Sequence, residues 1–504
     1  MKTGENNKRI AKNSIYLYIR MFFVLVVTLF TTRILLSSLG VLDYGIYNIV
    51  GGIVSFMMFL QSAMANGFQR FFNISLGEGN KEGLLNTFSA SIAVQIIISV
   101  IFLFFAETIG VWFLNSQLVI PEYRLYAANV VYQSAVFVFI LTMIASPYNA
   151  IIIAYEKMHV FAIITMINVV LKLFIAYIAV IGSDRLILYS LLTILIQVLF
   201  TGSFIIAALK QNKQLNFKPL FDKKIISGLI SFSGWNLFGS LAHSAKGQGL
   251  NIVLNMFFDP TINAARGVAY QVSAAVSQFF HNFQIASRPQ IIKYYARGEY
   301  QDMLDLTYKV SKFSFMLLWI VDLPLLFTSD YFITLWLGEK MPDYAPIFTN
   351  IVLLTVTIEC FSQPISTLVH ATGQMRNFQV VTSMFIMLII PIAYVLLKCG
   401  CAPEYALYCS LFFAPIVQLV RLMLVKKLVP LSILKYIKQV IWPSACVAVI
   451  SFAFIFLFTK YIYVHSIGLA VICFLVSIIS ILLIGCSQTE RLFLYRFICR
   501  KVKR

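Results

Sequence analysis

Residues 147–177 read PYNAIIIAYEKMHVFAIITMINVVLKLFIAY, and residues 364–394 read PISTLVHATGQMRNFQVVTSMFIMLIIPIAY. Aligned without a gap, 217 positions apart, they share Pro147/Pro364, Ala154/Ala371, Met158/Met375, Phe161/Phe378, Thr165/Thr382, Leu171/Leu388, Ile175/Ile392, Ala176/Ala393 and Tyr177/Tyr394. That is 9 identities over 31 positions, where two sequences of this apolar bias share roughly a tenth by chance. Each copy sits where one long apolar run gives way to the next. The two copies therefore mark the same join between membrane-spanning segments in two related halves.

Composition sets the solvent. The chain is 60% hydrophobic and 12% charged, with a mean hydropathy of +0.86. A soluble domain is about 25% charged, so most of this surface requires hydrocarbon. Apolar runs long enough to span a bilayer number about fourteen, centred from Val26 to Leu475. Met1 to Asn13 is polar and basic and runs straight into the first of them, with no small-residue cleavage site after it. It reads as a retained first helix. With the N-terminus inside, 29 of the 39 Lys and Arg residues fall on cytoplasmic segments and 6 outside. An even number of spans also puts the basic tail, Arg491 to Arg504, inside. Much of the net charge of +19 is therefore topology and anionic-lipid contact, and no nucleic-acid partner is expected. The eight cysteines are scattered without metal-ligand spacing, so they read as packing residues, and neither metal nor cofactor is expected. No loop exceeds about 20 residues, which leaves no room for the large external loop that membrane glycan polymerases carry. No zinc-protease motif, P-loop or Ser-centred elbow occurs, and an enzyme is not expected.

The repeat continues beyond the opening match. Arg70 to Gly79 followed by Leu84-Leu85 matches Arg288 to Gly298 followed by Met303-Leu304. Trp112 followed by Pro121-Glu122-Tyr123 matches Trp336 followed by Pro342-Asp343-Tyr344. Matching segments fall on the same side of the membrane, so the halves are parallel repeats. The expected organisation is an all-α polytopic membrane protein: one six-helix lobe over 1–212, a second over 220–428, an extra helix pair over 436–487, and a basic tail over 488–504. Duplicated lobes of this kind suit alternating access.

The run Arg33-Ile-Leu-Leu-Ser-Ser-Leu-Gly40-Val-Leu-Asp43-Tyr44-Gly45-Ile-Tyr47 resembles the end of the first helix in bacterial polysaccharide exporters. These are the O-antigen and capsule repeat-unit flippases of the multidrug/oligosaccharidyl-lipid/polysaccharide superfamily. The resemblance implies V-shaped, MATE-like lobes around a cationic cavity. It also implies a cargo of polyprenyl-diphosphate-linked oligosaccharide in a bacterial cytoplasmic membrane, for surface polysaccharide synthesis. Membrane lipids and a polysaccharide polymerase are the partners that setting implies.

Such a cargo requires fixed cations on an aqueous path, because its diphosphate cannot lose its hydration in hydrocarbon. Arg20, Arg33, Lys172 and Lys246 fall inside spans, and Arg266 lies at the outer start of the eighth. Arg20 and Arg33 point about 220° apart on one helix. Arg20 is expected to face the cavity; Arg33, near the outer end and close to Asp43, reads as a structural ion pair or a snorkelling anchor. Asn236, Ser240, His243, Gly247, Asn251 and Asn255 form a polar stripe on the seventh span. Gln271, Gln278 and Asn282 form another on the eighth, and Asn48, Ser55, Ser62 and Asn66 echo it on the second. From these, Arg20, Lys172, His243, Lys246, Asn251, Arg266 and Gln278 are the candidate cavity residues. Glu359 and Asp322, the best-buried carboxylates, are the candidates for ion coupling; Glu107 lies nearer an end, and His281 is a further protonatable group. A cation-drug antiporter of the same superfamily is the first alternative. It calls for a carboxylate in the first or seventh span, and the spans around Val26 and Leu241 contain none. A peptidoglycan-precursor flippase is the second alternative, though its pattern of first-helix arginines is not clearly matched.

Overall fold

The computed structural model describes residues 2–55, 58–116, 120–182, 184–212, 215, 223–258, 260–337, 342–462, 465–488 and 490–491. Among them helices dominate and no strand occurs. The first group of helices is α1 (Lys2–Ser55), α2 (Met58–Glu78), α3 (Lys81–Phe105), α4 (Val111–Ser116), α5 (Leu125–Ala154), α6 (Met158–Ile178) and α7 (Arg185–Gln211). Next come α8 (Lys223–Phe257), α9 (Pro260–Ala296), α10 (Tyr300–Leu337), α11 (Ala345–Glu359), α12 (Ser362–Thr372), α13 (Met375–Met387) and α14 (Ile389–Lys398). The series ends with α15 (Tyr405–Lys426), α16 (Ile433–Tyr436), α17 (Trp442–Tyr461) and α18 (Ser466–Ser480).

Twelve segments among the described residues are long and apolar enough to cross a membrane, so this is a multi-pass membrane protein. Exposed Val100, Phe104, Phe412 and Phe454 clad these helices with a surface that hydrocarbon solvates. Of the two further spans expected, the one near Val54 runs across residues 56–57, outside the described residues, and the one near Val276 is helical but less apolar. Around Val54, α1 carries on to Ser55, since no proline interrupts residues 2–55. Around Val276, α9 has 37 residues, ample length, but Arg266, Gln271, Gln278, Asn282, Arg288 and Lys293 dilute its hydropathy.

The chain forms two compact units, Met1–Ser240 with Ile292–Gly298, and Leu241–Ile291 with Glu299–Arg504. In the first unit, one core layer packs Leu35, Leu39, Val50, Tyr132, Phe139 and Tyr189, and another packs Phe68, Phe72, Phe88, Ile151 and Phe204. Beside the first layer the Arg124 guanidinium grips two carboxylates, Asp43 (Nε to Oδ1, 2.8 Å) and Asp184 (Nη1 to Oδ2, 2.7 Å). Asp184 also caps α7 by accepting from Leu186 N and Ile187 N. The Arg33 side chain, expected close to Asp43, lies outside the described ones, as do those of Asn48, Ser55, Ser62 and Asn255. Beside the second layer, Glu156 in the turn between α5 and α6 is buried between Lys293 Nζ at 2.7 Å and Arg9 Nε at 2.8 Å.

The repeat read in the sequence reappears in the backbone. Glu156 has φ +60°, and its mate Gly373 has φ +81°. Gly79 and Gly298, which close the matched Arg70 and Arg288 segments, have φ +72° and +74°. Both copies thus make their turns through the left-handed region, where only glycine is free of strain.

In the second unit Leu250, Ala265, Phe348, Ile389 and Phe413 share one core. The last helix pair docks on α10: Trp319 Nε1 donates to Ser451 Oγ at 2.9 Å, and Lys312 Nζ meets Glu490 at 2.6 Å. Pro391 in α14 has no amide hydrogen, and the chain breaks at Leu388 between α13 and α14. Its counterpart α6, with Phe174 at that position, runs unbroken.

Candidate functional site

A basic side chain in an apolar span costs about 3 kcal/mol at mid-bilayer unless something solvates it, so its surroundings mark function. In the first unit Arg20 leaves α1 and meets α6. Its Nε donates to Thr165 Oγ1 at 2.9 Å, and its guanidinium carbon lies 4.7 Å from the Phe161 ring centroid. Phe161, Thr165, Asn168 and Lys172 recur at helical spacing and share one face of α6. Lys172 lies about 10 Å further along that face than Thr165. It is half-buried, and no described residue gives it a hydrogen bond or an ion pair. The buried Asn168 between them keeps an Nδ2 without an acceptor among the described residues. One face of α6 therefore gathers Lys172 and the Arg20 that meets it, with no carboxylate paired to either among the described residues. The repeat mates Phe378, Thr382 and Ile389 are each only 3% exposed, so the same face in the second copy is core.

In the second unit α8 presents His243, Lys246, Gly247 and Asn251. Arg266 from α9 donates through Nη1 to Asn251 Oδ1 and through Nη2 to Gly247 O at 3.0 Å, with its charge 4.4 Å from the Tyr270 centroid. Its Nε has no acceptor among the described residues. One turn before Asn251, Lys246 Nζ lies 3.5 Å from Glu359 Oε1 at the end of α11. His243 and Arg421 also stand within Coulombic reach of Glu359. Arg421, on α15, donates to Ser362 Oγ, which in turn donates to Gln418 Oε1 at 3.1 Å. The cluster is thus Lys246, Arg421 and His243 around one carboxylate, with Ser362 and Gln418 as hydroxyl and amide partners.

Of the other candidates, Gln278 is exposed and its carbonyl accepts from Asn282 Nδ2 at 2.9 Å. Asp322 is fully buried on α10; its Oδ2 accepts from Thr357 Oγ1 at 2.7 Å and its Oδ1 has no partner among the described residues. Asp322 stands apart from the Glu359 cluster in its polar contacts. Glu107 is exposed and accepts from Gln133 Nε2 at 3.0 Å. His281 packs its ring 4.4 Å from that of Phe280. Arg421 is the residue that sequence reading missed, because its nearness to Lys426 and Lys427 made it look like a loop cation. The signal was present: it lies within an apolar run, one turn from Gln418. Arg288, whose Nη2 lies 2.8 Å from His370 Nδ1, was likewise counted with the loops. Among the described residues no three His, Cys, Asp or Glu side chains gather as a metal site would require.

No protein-family model matches the chain, and no curated protein matches it either. Solved structures do. A MATE in the straight conformation superposes with a TM-score of 0.71 at 14% identity, over 84% of this chain and 97% of its own. An outward-facing multidrug-resistance MATE transporter of the MOP superfamily gives 0.72 at 14% identity, over 84% and 95%. A MOP-superfamily transporter from Pyrococcus furiosus, whose binding pocket has reversed polarity suggesting a different function, gives 0.69 at 15% identity, over 84% and 96%. At this identity the likeness establishes the fold: the chain is built as MATE transporters of the MOP superfamily are.

Proposed function

We propose that this protein is a flippase that moves polyprenyl-diphosphate-linked oligosaccharide repeat units across the bacterial cytoplasmic membrane, for surface polysaccharide synthesis. The observation that carries the reading is the pair Arg20 of α1, which meets one face of α6, and Lys172 on that face, two cations inside the spans with no carboxylate paired to them among the described residues. A fixed cation about 4 Å from a phosphate returns about 4 kcal/mol at an effective dielectric near 20, enough to offset its own insertion. The polar companions Thr165, Asn168, Asn251 and Gln278 suit hydroxyl-rich sugars. Transport by alternating access moves the headgroup while the lipid tail stays in hydrocarbon. Both termini are cytoplasmic, the bilayer lipids and a polysaccharide polymerase are partners, and no catalytic step on the cargo is involved.

Proteoliposomes carrying a labelled lipid-linked oligosaccharide test this directly. Arg20→Ala and Lys172→Ala should each lower transfer at least tenfold with expression and thermal stability kept; wild-type transfer in both removes the assignment. A second reading, a cation-drug antiporter, is favoured by the MATE fold and by Glu359, whose side chain is 38% exposed. Cation-dependent drug resistance in cells producing the protein, abolished by Glu359→Gln, would select it.

A further inference from the structure

The ion pairs made by buried or half-buried glutamates in this protein are not alike. Glu156 is 2% exposed and sits 2.7 Å from Lys293; Glu490 is 15% exposed and sits 2.6 Å from Lys312. Those are charge-assisted hydrogen bonds at full strength. The Lys246–Glu359 pair is 3.5 Å long, and the Glu359 side chain keeps 38% of its surface accessible while Lys246 keeps 11%. More than a third of the Glu359 side chain is accessible, although cations stand close to it. The cations there outnumber it. Lys246 and Arg421 are both about nine-tenths buried, and Arg421 Nε has no acceptor among the described residues. Two buried cations thus stand by one part-exposed carboxylate that saturates neither.

We propose that Glu359 is a tethered stand-in anion, which a phosphate or diphosphate group displaces from Lys246 and Arg421. With no ligand, the carboxylate keeps the two cations from standing uncompensated, a state that would cost several kcal/mol per charge. When an oxyanion arrives, its several oxygens can take Lys246 Nζ, Arg421 Nε and the Ser362 hydroxyl together, which one carboxylate does not. Glu359 then swings to the open side. The loose, accessible pair makes that exchange cheap, whereas a pair like Glu156–Lys293 would resist it. This goes beyond the proposed function by assigning the ligand class and the competitor at the second-unit cluster. It rests on that reading only in taking an anion as ligand.

Purified protein in detergent, titrated with inorganic pyrophosphate by calorimetry, tests the exchange. Removing the competing charge with Glu359→Gln should tighten pyrophosphate binding about tenfold, equivalent to about 1.4 kcal/mol. Glu359→Asp, whose shorter carboxylate reaches Lys246 less well, should tighten it by a smaller factor and serves if the amide variant does not fold. Lys246→Ala should abolish binding with the melting temperature kept. Unchanged or weaker binding in whichever Glu359 variant folds overturns the proposal. So does a Glu359→Gln protein that loses affinity for a lipophilic cation such as tetraphenylphosphonium without gaining affinity for pyrophosphate. Tighter pyrophosphate binding in a protein that fails to move lipid-linked oligosaccharide supports the stand-in carboxylate and removes the flippase reading instead.

Discussion

Glu156 stands at a position where the other repeat has Gly373, and it keeps the glycine-like φ of +60°. A left-handed non-glycine residue costs on the order of 1 kcal/mol, which a surrounding structure must offset. Here the offset comes from Lys293 and Arg9, which hold the carboxylate at 2.7 and 2.8 Å. Glu156→Gln keeps the backbone strain and removes the charge, leaving the mostly buried Lys293 ammonium unpaired. It should destabilise the protein by about 3 kcal/mol, visible as a lower midpoint in thermal unfolding. A variant as stable as the parent would show that these ion pairs contribute nothing. Asp184, between two spans, behaves differently. Burial pushes its carboxyl up, but hydrogen bonds from the Arg124 guanidinium and the Ile187 and Leu186 amides outweigh burial and hold it below the ordinary carboxylate range. A depressed carboxyl stabilises the fold above about pH 4 and loses that contribution as pH falls through its folded value. Asp184→Asn should therefore lower the melting temperature at pH 7, and the gap to the parent should shrink as the pH drops towards 3. A gap independent of pH would reject the Arg124 bond as its source.

At the scale of elements, α3 continues into α4 through a π-turn over Ala106–Gly110. The Ala106 carbonyl accepts from the Val111 amide across this turn, and the buried Tyr132 hydroxyl donates to the same oxygen at 2.9 Å. Gly110 makes room for this: a Cβ there would lie 1.8 Å from Tyr132 Oη. Gly110→Ala should cost about 1–3 kcal/mol as an overpacking substitution, and Tyr132→Phe in the same chain should recover part of that loss. Two independent, additive losses in chemical denaturation would contradict the contact. The paired repeat helices show how one pattern serves two ends. The α6 face with Phe161, Thr165 and Lys172 meets Arg20, while Phe378, Thr382 and Ile389 lie in the core. A charge at position 172 and a proline at 391 separate the two copies. Neither is required by the fold they share, which is why Lys172 reads as a functional residue.

For the molecule as a whole, the proposed function takes both termini as cytoplasmic, on the distribution of Lys and Arg over the loops. A fluorescent protein that matures only in the cytoplasm should light up when fused after Arg504, and an export-dependent reporter at the same site should stay silent. The reverse result would invert every inside and outside assignment of the flippase reading. The helical, membrane-embedded, duplicated architecture was legible in the sequence, because each of its causes is local or periodic. Apolar runs of bilayer length make spans, prolines and glycines make turns, and a repeated pattern makes a repeated backbone, down to matching positive φ at Glu156 and Gly373. The stripe on α8 was legible for the same reason. The partners of each charge were not. Asp43 is bound by Arg124, 81 residues on, and Glu359 has Lys246, His243 and Arg421 of two other helices within Coulombic reach. Helical periodicity fixes the direction of a side chain relative to its own axis. Which charge waits opposite depends on how separate helices pack, and only the tertiary structure decides that.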